Sequence, residues 1–292
     1  MAGGGSLTIL THALQGLSKG HFVARAGDYW AAQGGRVVVH QGLGPPPPGD
    51  LALLHLDMTR IPAPYLALAK GFDRCLNSGT ADISKRRVSR NLLGPEDRHA
   101  GPVIVKTDLN YGGQPERLLR HAQSRHPRLA RLWDRLLDSL PLAWTHRVRL
   151  GNYLMLPSPA AVPDWVWRRP ELVVERFFVE RHGPLYALNM WFFLGDVDCL
   201  SISLAETPFV KAATTVRRLP MRFDIPDSLR RRRAELGFDY GKFDYVVADG
   251  EAQLIDANRT PHHGPAGFSE RGEEICRRMA GGLERLARGR AA

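Results

Sequence analysis

An α/β fold is predicted for this 292-residue chain, a small parallel unit followed by a larger α+β domain. Three observations carry that expectation. Strand-like and helix-like patterns alternate over the first 80 residues, as a parallel sheet with crossover helices requires. Residues 51–56 are almost wholly apolar, the pattern of a strand buried on both faces. Two β-prone runs, 242–247 and 252–257, flank Asp249-Gly250, a hairpin turn signal.

The elements follow in order. Residues 7–11 form a short β-prone run, 21–33 have helical spacing, and 36–40 are a valine-rich strand. Residues 42–49 contain Pro45 to Pro48 and read as a loop of polyproline character. The first unit closes at the turn cluster Asn77-Ser78-Gly79. Residues 84–93 then read as a basic helix, 102–106 as a strand, and 107–114 as a glycine-containing loop. A long arginine-rich helix is expected over 116–140. Strands are expected at 171–179, 185–194 and 198–204, and a helix at 228–236 that carries Arg230 to Arg233 on an exposed face. The hairpin comes next. A closing helix over 269–288 places Ile275, Met279, Leu283 and Leu286 on one face. There is no internal repeat. The expected domains are 1–80 and 81–292, the latter in a small lobe of about 100–180 and a large lobe of about 181–292 on the length prior.

Composition narrows the classes. A hydrophobic content of 43% suits a folded core. No uninterrupted apolar stretch reaches about 18 residues, so no membrane partner is expected. The first residues lack the basic-then-apolar order of a signal peptide, which points to the cytoplasm. Cys75, Cys199 and Cys276 are odd in number and far apart, and form neither a disulfide framework nor a metal motif. The net charge of +10 would suit phosphorylated ligands or nucleic acid. The basic runs lack interleaved aromatics and no nucleic-acid motif is visible, so that partner is the lesser reading.

Certain residue types point to phosphate chemistry. Asp256 and Asn258 are two apart, so on a strand they share a face, and Asp244 lies on the other arm of the hairpin. Three hard-oxygen side chains suit Mg²⁺ (or Mn²⁺), which usually keeps substrate phosphates as further ligands. Lys106 ends an apolar strand, and Gly112-Gly113 in the next loop allow backbone N–H groups to approach phosphate oxygens. Lys85 is a second phosphate candidate. A surface turn with an incidental lysine is the plain alternative. Neither a Walker loop nor a dinucleotide fingerprint is present.

The order of these pieces resembles the ATP-grasp superfamily, the fold of glutathione synthetase and D-alanine–D-alanine ligase. The resemblance covers about residues 81–292, and the N-terminal unit resembles a pre-ATP-grasp domain. It rests on Leu236-Gly237-Phe238-Asp239-Tyr240, Phe243-Asp244-Tyr245 and Ile255-Asp256-Ala257-Asn258-Arg259-Thr260-Pro261, with Pro102-Val103-Ile104-Val105-Lys106, Gly112-Gly113 and Val174-Glu175-Arg176-Phe177. It implies two lobes clamping ATP, with Lys85 and Lys106 on phosphates, Glu175, Arg176 and Phe177 at adenine, and Glu180 at ribose. It further implies Mg²⁺ on Asp244, Asp256 and Asn258. The implied activity is ATP-dependent C–N ligation, in which a small-molecule or peptide carboxylate becomes an acylphosphate and an amine displaces phosphate. Family members often have Glu where Asp256 stands. Many carry an arginine on the strand after the hinge, where Asn189 is the nearest match here. Arg176, Arg181, Lys211 or Arg217 are candidate substitutes, with Arg217 and Asn189 set beside Lys106 as catalytic candidates. An ATP-binding protein without catalysis is the alternative that Asn189 favours, and a homodimer is a candidate assembly.

Other residues carry two readings. Asp57 and Asn77 are substrate-cleft candidates or satisfied turn residues. His262 and His263 are proton acceptors near the metal set or loop histidines. Trp165 and Trp167 are a stacking platform or simple packing.

Overall fold

The structure is a computed structural model and describes residues 5–149, 152–211, 213–220, 224–264 and 267–289. The chain divides into two compact units. One comprises Met1–Asp57, Ile61–Ala81 and Val179–Ala292, the other Met58–Arg60 and Asp82–Phe178. The division at residue 80 expected above follows chain order, whereas these units follow packing.

The first unit begins with β1 (Ser6–Thr11), α1 (Phe22–Ala31), β2 (Arg36–Gln41), β3 (Leu51–Leu54), α2 (Ala63–Ala69) and β4 (Cys75–Leu76). The four strands form one parallel sheet in the order β2-β1-β3-β4. β1 and β3 are buried along their whole length, as their apolar runs require.

The second unit carries α3 (Lys85–Val88), β5 (Leu92–Leu93), β6 (Val103–Thr107), a single 3₁₀ turn (Asn110–Gly113), α4 (Gln114–Gln123), α5 (Pro127–Ser139), α6 (Leu142–Thr145), β7 (Leu154–Leu156), α7 (Asp164–Trp167) and β8 (Leu172–Arg176). Its sheet is antiparallel, in the order β5-β8-β6-β7. Val103, Val105, Leu172 and Val174 face a core with Val148, Val162 and Val166. Trp165 packs against that core and stacks on His146 at 4.4 Å between ring centroids, so it serves packing.

Two expectations are corrected here. The basic helix over 84–93 lasts only four residues, because Leu92 and Leu93 pair with Val174 and Glu175 of β8 and extend the sheet instead. The long helix over 116–140 is two helices. Pro127 cannot donate a helical N–H and disfavours helical geometry at His126, so the first helix stops and α5 starts with proline in its first turn.

The first unit resumes with β9 (Glu180–His182), β10 (Leu185–Leu194), β11 (Val197–Ala205), β12 (Thr215–Pro220), α8 (Asp227–Leu236), β13 (Tyr240–Ala248), β14 (Glu251–Asn258) and α9 (Glu270–Ala287). An antiparallel sheet runs β12-β11-β10-β13-β14, with β9 also on β10. Ser269 caps α9 by accepting from the Gly272 amide at 3.2 Å. Ile275, Met279 and Leu283 are buried with Trp30, Leu7 and Phe192 in one core, and Leu286 packs at its edge. α8 ends at Gly237 with φ 70°, where a Cβ would lie 2.9 Å from the Gly79 carbonyl carbon and oxygen, so only glycine fits.

Candidate functional site

In the second unit, strand alternation turns Val103 and Val105 inward and leaves Ile104 and Lys106 on the other face. Register places Ile104 opposite Glu175 and Lys106 opposite Val173. Lys106 and Glu175 therefore share a face and form a close ion pair, their side chains only 8% and 5% exposed. The second carboxylate oxygen of Glu175, Oε1, is buried and has no hydrogen-bond partner among the described residues. The amides of Arg176 and Phe177 donate to the carbonyls of Asn91 and Pro102, both at 2.9 Å. Those two amides are committed within the unit.

Asp108, which the sequence did not single out, organises the end of β6. Its carbonyl accepts from the Lys85 amide and its Oδ1 from the Arg86 amide, each at 2.9 Å. Its Oδ2 accepts from Arg60 at 2.8 Å. These bonds pin the start of α3 to the end of β6, and so hold two buried lysines, Lys85 and Lys106, on one rigid junction. Only the Thr-Asp pair at the strand's end signalled it.

The glycine loop follows. Tyr111, Gly112 and Gly113 have φ values of 48°, 64° and 73°, three left-handed residues in succession. Glycine accepts that conformation freely, whereas Tyr111 is held in it at a steric cost. The loop borders a cavity of about 450 Å³ whose other walls include Arg117, Arg120, Asp138, Arg147 and Arg149. Arg117 pairs with Asp138 at 2.7 Å, and Arg120 and Arg147 each pair with Asp134 at 3.0 Å. Burial pushes the Asp134 carboxyl up, but bonds from Arg147, His121 and Arg120 outweigh it and hold the group down at about 2.

In the first unit, the hairpin of β13 and β14 sets Asp244 opposite Asp256 and Lys242 opposite Asn258. Lys242 and Asp244 are two apart on one strand, so all four side chains share a face. Lys242 Nζ lies 2.9 Å from Asp244 Oδ2. The four are half-buried. A Cβ on Gly241 would come 2.7 Å from the Asn258 carbonyl oxygen, so the strands approach closely there. Asn258 Oδ1 accepts from the Thr260 amide at 2.8 Å, and the Thr260 hydroxyl donates to Asp57 at 3.0 Å. Asp57 thus belongs to the same polar corner. Among the described residues no group of three or more His, Cys, Asp or Glu side chains could hold a metal. The hairpin set counts two carboxylates and one amide, the hard-oxygen donors that Mg²⁺ takes when phosphate and water complete its shell.

Two catalytic candidates are not brought to this face. Asn189 pairs opposite Tyr245 while Met190 pairs opposite Asp244, so alternation sends the Asn189 side chain to the other side of the sheet. There it is fully buried and donates to Glu180 at 2.6 Å, and Glu180 also accepts from the Val247 amide at 2.6 Å. Arg217 lies exposed on β12, the edge opposite β14, and pairs with Leu204 on the Asn189 side. Lys242 is the cation that the fold does place beside Asp244. Its two-residue spacing from Asp244 was the available signal.

Asn77 is structural. It is wholly buried, donates to the Tyr240 carbonyl at 2.9 Å and accepts from the amides of Asp239 and Tyr240. His262 stacks edge-on with His21 at 5.0 Å, and His21 with His55 at 4.6 Å. Burial, then the neighbouring His262, depresses His21 to about 4. The thiols of Cys75, Cys199 and Cys276 are free, and burial pushes them up to about 12, 11 and 12, which removes them as nucleophiles near neutral pH.

No family model matches the sequence, and no curated protein matches it. Solved structures do. The ATP-grasp ligase PsnB, complexed with minimal precursor, Mg and ADP, superposes with a TM-score of 0.54 at 12% identity, over 96% of this chain and 97% of that one. A RiPP-associated ATP-grasp ligase from Chryseobacterium gregarium, in complex with ADP and a leader and core peptide, superposes with a TM-score of 0.50 at 11% identity, over 99% of this chain and 98% of that one. At such identity the likeness is one of fold.

Proposed function

The chain has the ATP-grasp fold, and from that premise we propose that it is an ATP- and Mg²⁺-dependent ligase. It activates a carboxylate as an acylphosphate and joins it to an amine. The observation that carries the reading is the hairpin face on which Lys242, Asp244, Asp256 and Asn258 meet. Asp244, Asp256 and the amide oxygen of Asn258 would hold Mg²⁺, with Lys242 as a fixed cation beside them. When bound, Mg²⁺ neutralises phosphate charge.

The other residues then have definite tasks. Lys85 and Lys106 take phosphate oxygens, since phosphoryl transfer asks the protein chiefly for positioning and charge neutralisation. Glu175 Oε1, a buried acceptor with no partner, receives an N–H of the adenine amino group. The loop at Gly112 and Gly113 turns its backbone to the phosphates and excludes water that would hydrolyse an acylphosphate. Glu180 accepts from ribose in addition to its bonds to Asn189 and Val247. Lys242 stabilises charge as a carboxylate oxygen of the substrate bonds to the γ-phosphorus and the bond to the ADP oxygen breaks. The amine nitrogen then attacks the acyl carbon, phosphate leaves, and the amine's proton passes to solvent.

Lys242 also favours catalysis over ATP binding alone, because it supplies a cation that Asn189 does not. Thermal unfolding with a non-hydrolysable Mg-ATP analogue tests the nucleotide site. At a hundred times Kd the stabilisation is about 2.7 kcal/mol, and its absence would overturn the reading. Release of ADP and phosphate on addition of pooled acids, amines and short peptides tests ligation. Peptides belong in that pool because one resembling structure holds a leader and core peptide. Analogue binding without release from any pool would instead support the non-catalytic role.

A further inference from the structure

Helix α5 is turned inside out relative to an ordinary surface helix. Asp134 and Asp138 face inward and are tied to Arg117, Arg120, Arg147 and Arg149. At 3.6 residues per turn, Leu132 and Leu136 lie about 160° around the helix from Asp134. Leu129, Leu132, Trp133 and Leu136 are accordingly 51% to 62% exposed, and Leu140 and Trp144 continue the exposed apolar run. Arg128, Arg131 and Arg135 lie together along one flank of that stripe. They and Arg125 are exposed and form no ion pair among the described residues. No acidic side chain of α5 reaches the outward face, since both of its carboxylates are used on the inner one.

We propose that this face of α5 binds the surface of an anionic lipid bilayer. Large exposed apolar patches mark protein or membrane contacts, and three features favour the lipid. The apolar side chains stand on the convex ridge of a helix, which a fluid bilayer accommodates and a rigid protein surface must match with a groove. Trp133 sits at the stripe's edge, and Trp144, on the short helix that follows, is 76% exposed; tryptophan suits the headgroup boundary. The unpaired arginines flank the stripe at the depth of lipid phosphates, the arrangement of an interfacial amphipathic helix. The helix lies flat on the surface and spans nothing. Such a surface contact needs no spanning helix, and none of the described helices is long and apolar enough to cross a membrane. It stands on different residues from the nucleotide site and does not depend on the ligase reading.

Co-sedimentation of the full chain with vesicles tests it, using phosphatidylcholine alone and phosphatidylcholine with one-third phosphatidylglycerol at low salt. Binding to the anionic vesicles only, reversed by high salt, is expected. Arg131→Ala and Arg135→Ala should each weaken partitioning about fivefold. The double variant Trp133→Gln/Leu136→Gln should abolish it with an unchanged thermal midpoint, because both side chains are exposed in the wild type. Absence of wild-type binding at low salt overturns the proposal, as does full binding by that double variant. A wild-type dimer that the double variant converts to monomer, without vesicle binding, would make the face a protein interface and also overturn it.

Discussion

Replacing Lys106 by methionine removes one member of a buried ion pair and leaves the other. The two side chains are 8% and 5% exposed, and Glu175 Oε1 already lacks a partner. A contact pair at an effective dielectric of about 20 attracts by about 4 kcal/mol. Removing one member forfeits that attraction and strands a desolvated carboxylate, so Lys106→Met should destabilise by about 3–5 kcal/mol. That corresponds to a fall in thermal midpoint on the order of 10 °C. Lys106→Met/Glu175→Leu removes both charges and should return to within about 1 kcal/mol of wild type, because apolar replacements of similar size are often neutral. The cycle closed with Glu175→Leu then gives a coupling energy of about 3 kcal/mol or more, read from thermal or urea unfolding. Neither the single nor the double variant should gain stability from the Mg-ATP analogue. Additive single effects, or a Lys106→Met protein as stable as wild type, would show that the pair is neither desolvated nor mutually dependent. Retained analogue stabilisation in the double variant would remove Lys106 and Glu175 from the proposed nucleotide site.

Three further outcomes follow from particular residues. Lys242→Met should lower the rate of ADP release by about 10²–10³, the usual effect of losing one group that stabilises transition-state charge, while the analogue-induced thermal shift persists. Loss of the shift would make Lys242 a binding residue instead. His21 stays neutral when folded, depressed to about 4 by burial first and by His262 next, against an ordinary value of 6.5. The unfolded chain takes up that proton first, so the stability is fully present above about pH 6.5 and falls by about 3 kcal/mol toward pH 4. His21→Gln should flatten urea midpoints across that window, and an unchanged slope would discount His21. Gly237→Ala should cost at least about 2 kcal/mol, since it combines a left-handed φ with a clash against the Gly79 carbonyl. A neutral result in thermal unfolding would mean that α8 ends differently.

The legible parts of this fold are those fixed by neighbours in sequence. Lys106 was legible as the charged end of an apolar strand, and the turn at Asp249-Gly250 was enough to pair the two arms that carry Asp244 and Asp256. Three-to-four-residue spacing revealed the buried stripe of α9. His126-Pro127 also announced the helix break, but the apolar period runs through it on both sides and masks the signal. The illegible parts depend on which strands become neighbours. Leu92 and Leu93 extend because β8 lies beside them, although their local sequence continues a basic helix. Asn189, the nearest match to the family's arginine, and Arg217, a candidate substitute for it, were open choices while the order of strands was unknown. Once β13 lies between β10 and β14, the face shared with Asp256 belongs to Met190 and Asp244, and a side chain at 189 cannot reach it without a one-residue slip of β10. Such a slip would also turn Trp191 and Phe193, both fully buried, out of their contacts with Phe243. Packing on one face of the sheet therefore decides which cation stands on the other, and it decides for Lys242.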